Sequence, residues 1–341
     1  MSNPSRMYLE AAQAPNVVRS QLENNAASVR RIGGELRRLA PRAVVTCGRG
    51  SSDHAATFAK YLIESYARVL TSSAAPSLSS LYDAEPDLTG TLFLAISQSG
   101  RSPDLLASAG RAKDSGAFVI AVCNSMDSPL VALAHESIAM CAGPETSVAA
   151  TKSYIASLGV LLHLVASWTE NEALMSALFK APEQLARAWQ LEWSNALRPL
   201  ERAQSMYVVG RGFGLGVAQE AALKLKETCG LHAEAFSAAE VKHGPMALVG
   251  PGFPVLMLTQ DDESRAGVRA LAEDFACRGA EVLIAGASVA NTTSLPTVPA
   301  HPAVEPLLMI QSFYRLAEAL SRARGLDPDS PPNLQKVTET L

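Results

Sequence analysis

Two stretches of the chain read alike. Val44-Val45-Thr46-Cys47-Gly48-Arg49-Gly50 closes an apolar run with Gly-Arg-Gly, and Met206-Tyr207-Val208-Val209-Gly210-Arg211-Gly212 does the same, with Gly48 and Gly210 separated by 162 positions. The same offset carries Leu94-Ala95-Ile96-Ser97-Gln98-Ser99 onto Leu256-Met257-Leu258-Thr259-Gln260-Asp261. A third apolar run, 117–121, meets 280–284 at an offset of 163. One match would mean little, but three in register predict a duplicated domain. Each copy reads as strand, glycine-rich turn, helix, strand, polar turn, helix, strand. Residues 43–47, 92–96 and 118–122 are short, apolar and partly β-branched. Between them lie helical patterns such as 55–67 and 102–115, with Pro103 suited to a first helical turn. Continuous apolar strands alternating with helices predict a parallel sheet covered on both faces. The expected class is α/β, as two tandem three-layer α/β/α domains with parallel sheets. The expected division is a helical arm over 1–38, a first domain over 39–170, a helical connector over 171–200, a second domain over 201–325 and a tail over 326–341.

Composition narrows the function classes. With 48% hydrophobic and 18% charged positions in 341 residues, the chain can bury two cores without disulfides or metals. Its net charge of -4 lacks the basic footprint of a nucleic-acid binder. Cys47, Cys123, Cys141, Cys229 and Cys277 form no C-x-x-C pair, which fits reduced thiols and a cytoplasmic location. The apolar stretch 158–166 falls short of the roughly 18 residues of a membrane span, and the N-terminus has no apolar signal core.

In parallel sheets, ligands sit beyond the carboxyl ends of the strands. In the first copy that edge carries Gly50-Ser51-Ser52 and Ser97-Gln98-Ser99-Gly100-Arg101-Ser102, each after a strand and before a helix. Helix N-termini offer unpaired N–H groups to an anion, and the hydroxyls of Ser52, Ser97, Ser99 and Ser102 would add donors. Taken singly, each serine is better read as a helix cap or turn former. Two such turns at adjacent strand ends favour phosphate. The Gly-Lys-Ser/Thr element of a Walker loop and the spacing of a dinucleotide fingerprint are both missing. In the second copy, Asp261 and Asp262 stand at the equivalent turn and would repel a phosphate. One phosphate site per chain is therefore expected, in the first copy.

The second copy holds the densest run of ionisable residues. Glu220, Lys224 and Glu227 are spaced four and three apart on one helix face over 217–228. Glu220 and Lys224 alone would be read as a surface ion pair worth a few tenths of a kcal/mol. The tight turn at His243-Gly244-Pro245 weakens that reading, because a histidine titrates near neutrality. A carboxylate, a lysine and a histidine beside a phosphate site point to acid–base chemistry on a sugar phosphate. No His/Cys/Asp spacing fits a metal site, so metal binding is not expected, and acid–base chemistry of this kind requires no metal or organic cofactor.

These motifs carry a resemblance. Glu220-Ala-Ala-Leu-Lys224-Leu-Lys-Glu227, continued through His232 to His243-Gly-Pro, resembles the isomerase half of glucosamine-6-phosphate synthase. So do Ser97-Gln-Ser-Gly100, Ala149-Ala-Thr-Lys152 and Pro332-Asn-Leu-Gln-Lys336. The chain resembles the tandem sugar-isomerase (SIS) family along nearly its whole length. The resemblance implies that Ser52, Ser97, Gln98, Ser99 and Ser102 bind phosphate, and that Val148 and Ala149 supply backbone contacts to the sugar. It implies that Glu227 moves a proton between C1 and C2 with Lys224 as helper. His243 would open the ring from the neighbouring subunit of a homodimer, and Lys336 would lie over the open-chain sugar. Glu220 is counted with the substrate-binding set. Two departures bear on specificity. Ala150 stands where the synthase has a serine, and Arg49-Gly50 lengthens the first loop. With Met1-Ser2 so close to the first helix, a glutaminase domain is not expected, so neither is ammonia drawn from glutamine. The expected reaction is glucosamine 6-phosphate to fructose 6-phosphate and ammonia. The runners-up are a fructosamine-6-phosphate deglycase, a galactosamine-6-phosphate deaminase/isomerase and a plain ketose–aldose isomerase. A sugar-phosphate sensor is the non-enzymatic alternative. The arm leaves no room for the sensor's helix-turn-helix, and a sensor needs no Glu227, Lys224 and His243 together.

Overall fold

The computed structural model of the protein describes residues 3–82 and 86–336, so the end of the expected tail, 337–341, lies outside the described residues. The chain forms two compact units. One comprises 16–145 and 152–179 with residues 335 and 336; the other comprises 3–15, 146–151 and 180–334. The N-terminal arm is α1 (Arg6–Ala11) and α2 (Ala14–Leu39), and it divides between the units at Pro15.

The first unit follows in order: β1 (Ala43–Cys47), α3 (Ser51–Leu62), β2 (Leu70–Ser73), α4 (Pro76–Ser80), β3 (Thr91–Ser97), α5 (Pro103–Asp114), β4 (Phe118–Cys123), α6 (Pro129–Leu133), β5 (Glu136–Ala139) and α7 (Lys152–Trp168). Its five strands are all parallel in the order β2-β1-β3-β4-β5. All seven residues of β3 are buried, as a central strand covered on both faces requires. Leu105, Ala109 and Leu130 pack over Phe93, Ala95 and Val119 on one of those faces. The apolar stretch with His163 is α7, a core helix buried on nearly every side. The helix expected over 55–67 starts earlier, at Ser51, and its last residues, Ile63–Ala67, widen into a π turn.

Next come α8 (Glu172–Trp189) and, in the second unit, α9 (Leu197–Glu201), β6 (Ser205–Gly210), α10 (Gly214–Cys229), β7 (His232–Ser237), β8 (Pro254–Leu258), α11 (Arg265–Cys277), β9 (Glu281–Ala285), β10 (Thr293–Leu295) and α12 (Glu305–Ala323). This sheet is also parallel, in the order β10-β9-β8-β6-β7. Read from its other edge, it repeats the first sheet strand for strand, so the duplication seen in sequence is also a duplication of topology.

The three strands expected per copy are corrected here: among the described residues each sheet has five. The added β2 and β5 are short edge strands with mostly exposed or half-exposed positions, and β7 and β10 are similarly polar. None carries the continuous apolar run that marks a buried strand.

Candidate active site

The first sheet reverses its strand order between β1 and β3, and such a switch point is where ligands bind in open α/β sheets. The chain leaves β1 through Gly48-Arg49-Gly50 into α3 and leaves β3 through residues 98–102 into α5. Two helix N-termini therefore meet this edge and bring the positive ends of their dipoles to it. A cavity of about 370 Å³ opens there, and Ser52, Ser97, Gln98, Ser99, Ser102 and Lys336 all line it. Tight backbone packing shapes it. A Cβ on Gly48 would lie 2.8 Å from the Ser52 backbone carbon, and one on Gly100, where φ is +64°, would lie 2.3 Å from Ser128 Oγ.

The cap-and-turn reading holds for part of this serine set. Ser97 Oγ accepts the Gly100 N–H at 2.9 Å, and Ser99 Oγ accepts that of Arg101 at 3.4 Å. An accepting hydroxyl still has its own O–H to donate. Ser102 is the N-cap residue of α5, yet its side chain makes no capping bond. Lys336 reaches the cavity with Nζ 3.3 Å from Glu145 Oε2, a fully buried carboxylate that also accepts from Ser153 N and Oγ at 3.2 and 2.5 Å.

In the second unit, α10 places Glu220, Lys224 and Glu227 on one face. Lys224 Nζ is 2.5 Å from Glu227 Oε2 and 3.4 Å from Glu220 Oε1. The Lys224 and Glu220 side chains are 1% and 0% exposed, whereas Glu227 keeps 20%. A surface ion pair is thereby excluded. Burial pulls the Lys224 pKa down, but the two carboxylates outweigh it and the net direction is up. Lys224 is an ammonium held between two carboxylates, and Glu227 is the one that still faces solvent.

Val148 and Ala149 sit on the segment 146–151, which belongs to the second unit. Glu10 of α1 clamps its start. The carboxylate accepts Thr146 N at 2.5 Å, Thr146 Oγ1 at 2.9 Å and Ser147 N at 3.1 Å. His243 ends a 3-10 turn over Glu240–Lys242 and is exposed. Among the described residues, no hydrogen bond or ion pair joins it to the α10 trio. Burial pushes the Cys47 thiol up to about 12 and that of Cys229 to about 11, so neither is a thiolate at neutral pH. Among the described residues no group of three or more His, Cys, Asp or Glu side chains is placed to hold a metal. No helix among them is long and apolar enough to cross a membrane.

The SIS domain family profile matches residues 40–167 and 199–294, once over each sheet. The chain belongs to the SIS domain family. It is 33% identical to a glutamine–fructose-6-phosphate aminotransferase (isomerizing) of Leifsonia xyli over 98% of this chain and 58% of the relative. The chain thus spans little more than half the length of the curated relatives it matches. A candidate phosphosugar isomerase from Silicibacter pomeroyi superposes with a TM-score of 0.92 at 40% identity, covering 96% of this chain and all of that one. The C-terminal domain of the Francisella tularensis glucosamine-fructose-6-phosphate aminotransferase does so with a TM-score of 0.89 at 25% identity, covering 97% and 99%.

The two SIS copies differ at the turn where the first has its cavity. In the second, Gln260 Nε2 donates to Arg211 O at 2.8 Å and to Asp262 Oδ2 at 2.7 Å, and Asp262 Oδ1 accepts Ser264 N at 2.9 Å. An internal carboxylate takes up the donors that an anion would use. Sequence reasoning missed Glu10 and Glu145. Each is a lone acid outside any repeating pattern, and only the fold pairs it with Thr146 or Lys336.

Proposed function

We propose that the chain is an isomerising deaminase of an amino-sugar 6-phosphate, turning glucosamine 6-phosphate and water into fructose 6-phosphate and ammonia. The observation that carries this reading is the buried Lys224 ammonium between Glu220 and a partly exposed Glu227. A desolvated cation beside an accessible carboxylate suits proton transfer next to a developing negative charge. The serine-lined cavity takes the phosphate and supplies binding energy remote from the reacting carbons.

In the proposed sequence, His243 from the partner subunit of a homodimer opens the pyranose ring. Glu227 removes the C2 proton of the open-chain aldehyde and returns it to C1, while Lys224 stabilises the charge on oxygen. The C2 imine so formed adds water and loses ammonia, leaving the ketone. Val148 and Ala149 contact the sugar through their backbone, and Lys336 covers it. The likeness to isomerizing aminotransferases favours a second use of the same groups, the reverse reaction from fructose 6-phosphate and ammonia.

Heavy water tests the proton transfer. The full chain with glucosamine 6-phosphate should give fructose 6-phosphate carrying deuterium at C1, and Glu227→Gln should lower turnover by about 10²- to 10⁴-fold with little change in KM. A Glu227→Gln variant that turns over at the normal rate would sink the scheme.

A further inference from the structure

Arg49 lies in the loop that departs from the family pattern, and its side chain forms part of the wall of the serine-lined cavity. We propose that Arg49 is a phosphate-binding residue, oriented for that task by the buried carboxylate of Asp104. The proposal rests on the reading of this cavity as a phosphate site and adds to it a guanidinium with a donor to spare.

A phosphate monoester carries a charge of about -1.5 to -2 at neutral pH. Hydroxyls and helix N-termini meet it with dipoles only. Among the described residues, two cations line the cavity, Arg49 and Lys336. Lys336 already faces the fully buried Glu145 carboxylate. Arg49 directs Nε and Nη2 to the same oxygen of Asp104, each at 2.7 Å, which fixes the plane of the guanidinium. That leaves Nη1 unused by any hydrogen bond among the described residues. The Asp104 side chain is 0% exposed and that of Arg49 is 53% exposed, so the pair points its cationic end outward. The other Asp104 oxygen accepts the Leu105 N–H at 2.8 Å in the first turn of α5. A carboxylate at a helix N-terminus is stabilised there without a cation. Asp104 therefore has a second source of stabilisation besides Arg49, and the guanidinium keeps a donor for an anion in the cavity. A planar fork with donors to spare recognises phosphate oxygens better than a point charge.

The test pairs Arg49→Gln with Asp104→Asn in the full chain, because removing the arginine alone would strand a buried charge. Titration calorimetry with inorganic phosphate and with fructose 6-phosphate, at fixed ionic strength, reads the effect. The double variant should keep its thermal midpoint close to that of the unsubstituted chain and lose about ten- to a hundredfold in affinity for both, the scale of a charge-assisted hydrogen bond. Unchanged affinity in the double variant overturns the role of Arg49 and leaves the cavity as a phosphate site. Absence of phosphate and fructose 6-phosphate binding by the unsubstituted chain overturns both. If the double variant does not fold, phenylglyoxal labelling of the unsubstituted chain decides. Phosphate should slow modification of Arg49, and an equal rate with and without phosphate overturns the proposal.

Discussion

Lys224 keeps its charge where water does not reach it, because Glu220 and Glu227 together offset its desolvation. Its spacing to both acids was readable along the helix; its burial was not. A Glu-x-x-x-Lys on an exposed face and one under α12 look the same in one dimension, and only the fold brings Tyr314 of α12 to 3.5 Å from Glu220. His163 shows the opposite balance. Burial in α7 with no compensating charge lowers its pKa to about 4 from 6.5. Protonation therefore favours the unfolded chain. The neutral histidine carries no such penalty above pH 6.5, and stability is lost as pH falls from there through about 4, in total about 3 kcal/mol. Urea unfolding of the protein and of His163→Leu should diverge across this window, the variant losing less. Parallel pH profiles for the two would show that the histidine is not buried as described.

At the scale of elements, the strand ends and the turns after them do most to shape the cavity. Gly100 illustrates the constraint. An added Cβ would fall 2.7 Å from Ser128 Cβ and 2.9 Å from Cys123 Sγ at a positive φ, so Gly100→Ala should cost about 1–3 kcal/mol. It should also weaken phosphate binding, because the same turn presents Ser97 and Ser99. A denaturation midpoint equal to that of the unsubstituted chain would contradict the tight packing. The central strands were legible because they are apolar throughout, and the serine turns because they follow those strands. The edge strand Leu70–Ser73 was not, since only Thr71 of its four residues is buried. Glu227 escaped the strand-edge rule for another reason. It lies 13 residues beyond Gly214 on α10, roughly 20 Å along the helix from the edge where ligands of parallel sheets bind. Its spacing and the family resemblance, not its place in the sheet, singled it out.

At the scale of the whole molecule, the exposed His243 makes no hydrogen bond or ion pair with the α10 trio among the described residues, and the proposed reaction has it serve a neighbouring subunit. If the site is shared, Glu227→Gln and His243→Ala chains, each inactive alone, should regain activity when mixed as heterodimers. Verified heterodimers without activity would show that Glu227 and His243 of one subunit serve the same site, so that it is not shared. The duplicated topology puts a serine-lined cavity at the β3 turn of one SIS copy, while the other copy closes the equivalent turn on Asp262. The proposed reaction couples deamination to isomerisation. The most direct measurement is a coupled assay of fructose 6-phosphate and ammonia from glucosamine 6-phosphate, with no glutamine present. Release of both in equal amounts is expected; substrate that stays intact, or an isomer formed without ammonia, would rule out the proposed reaction.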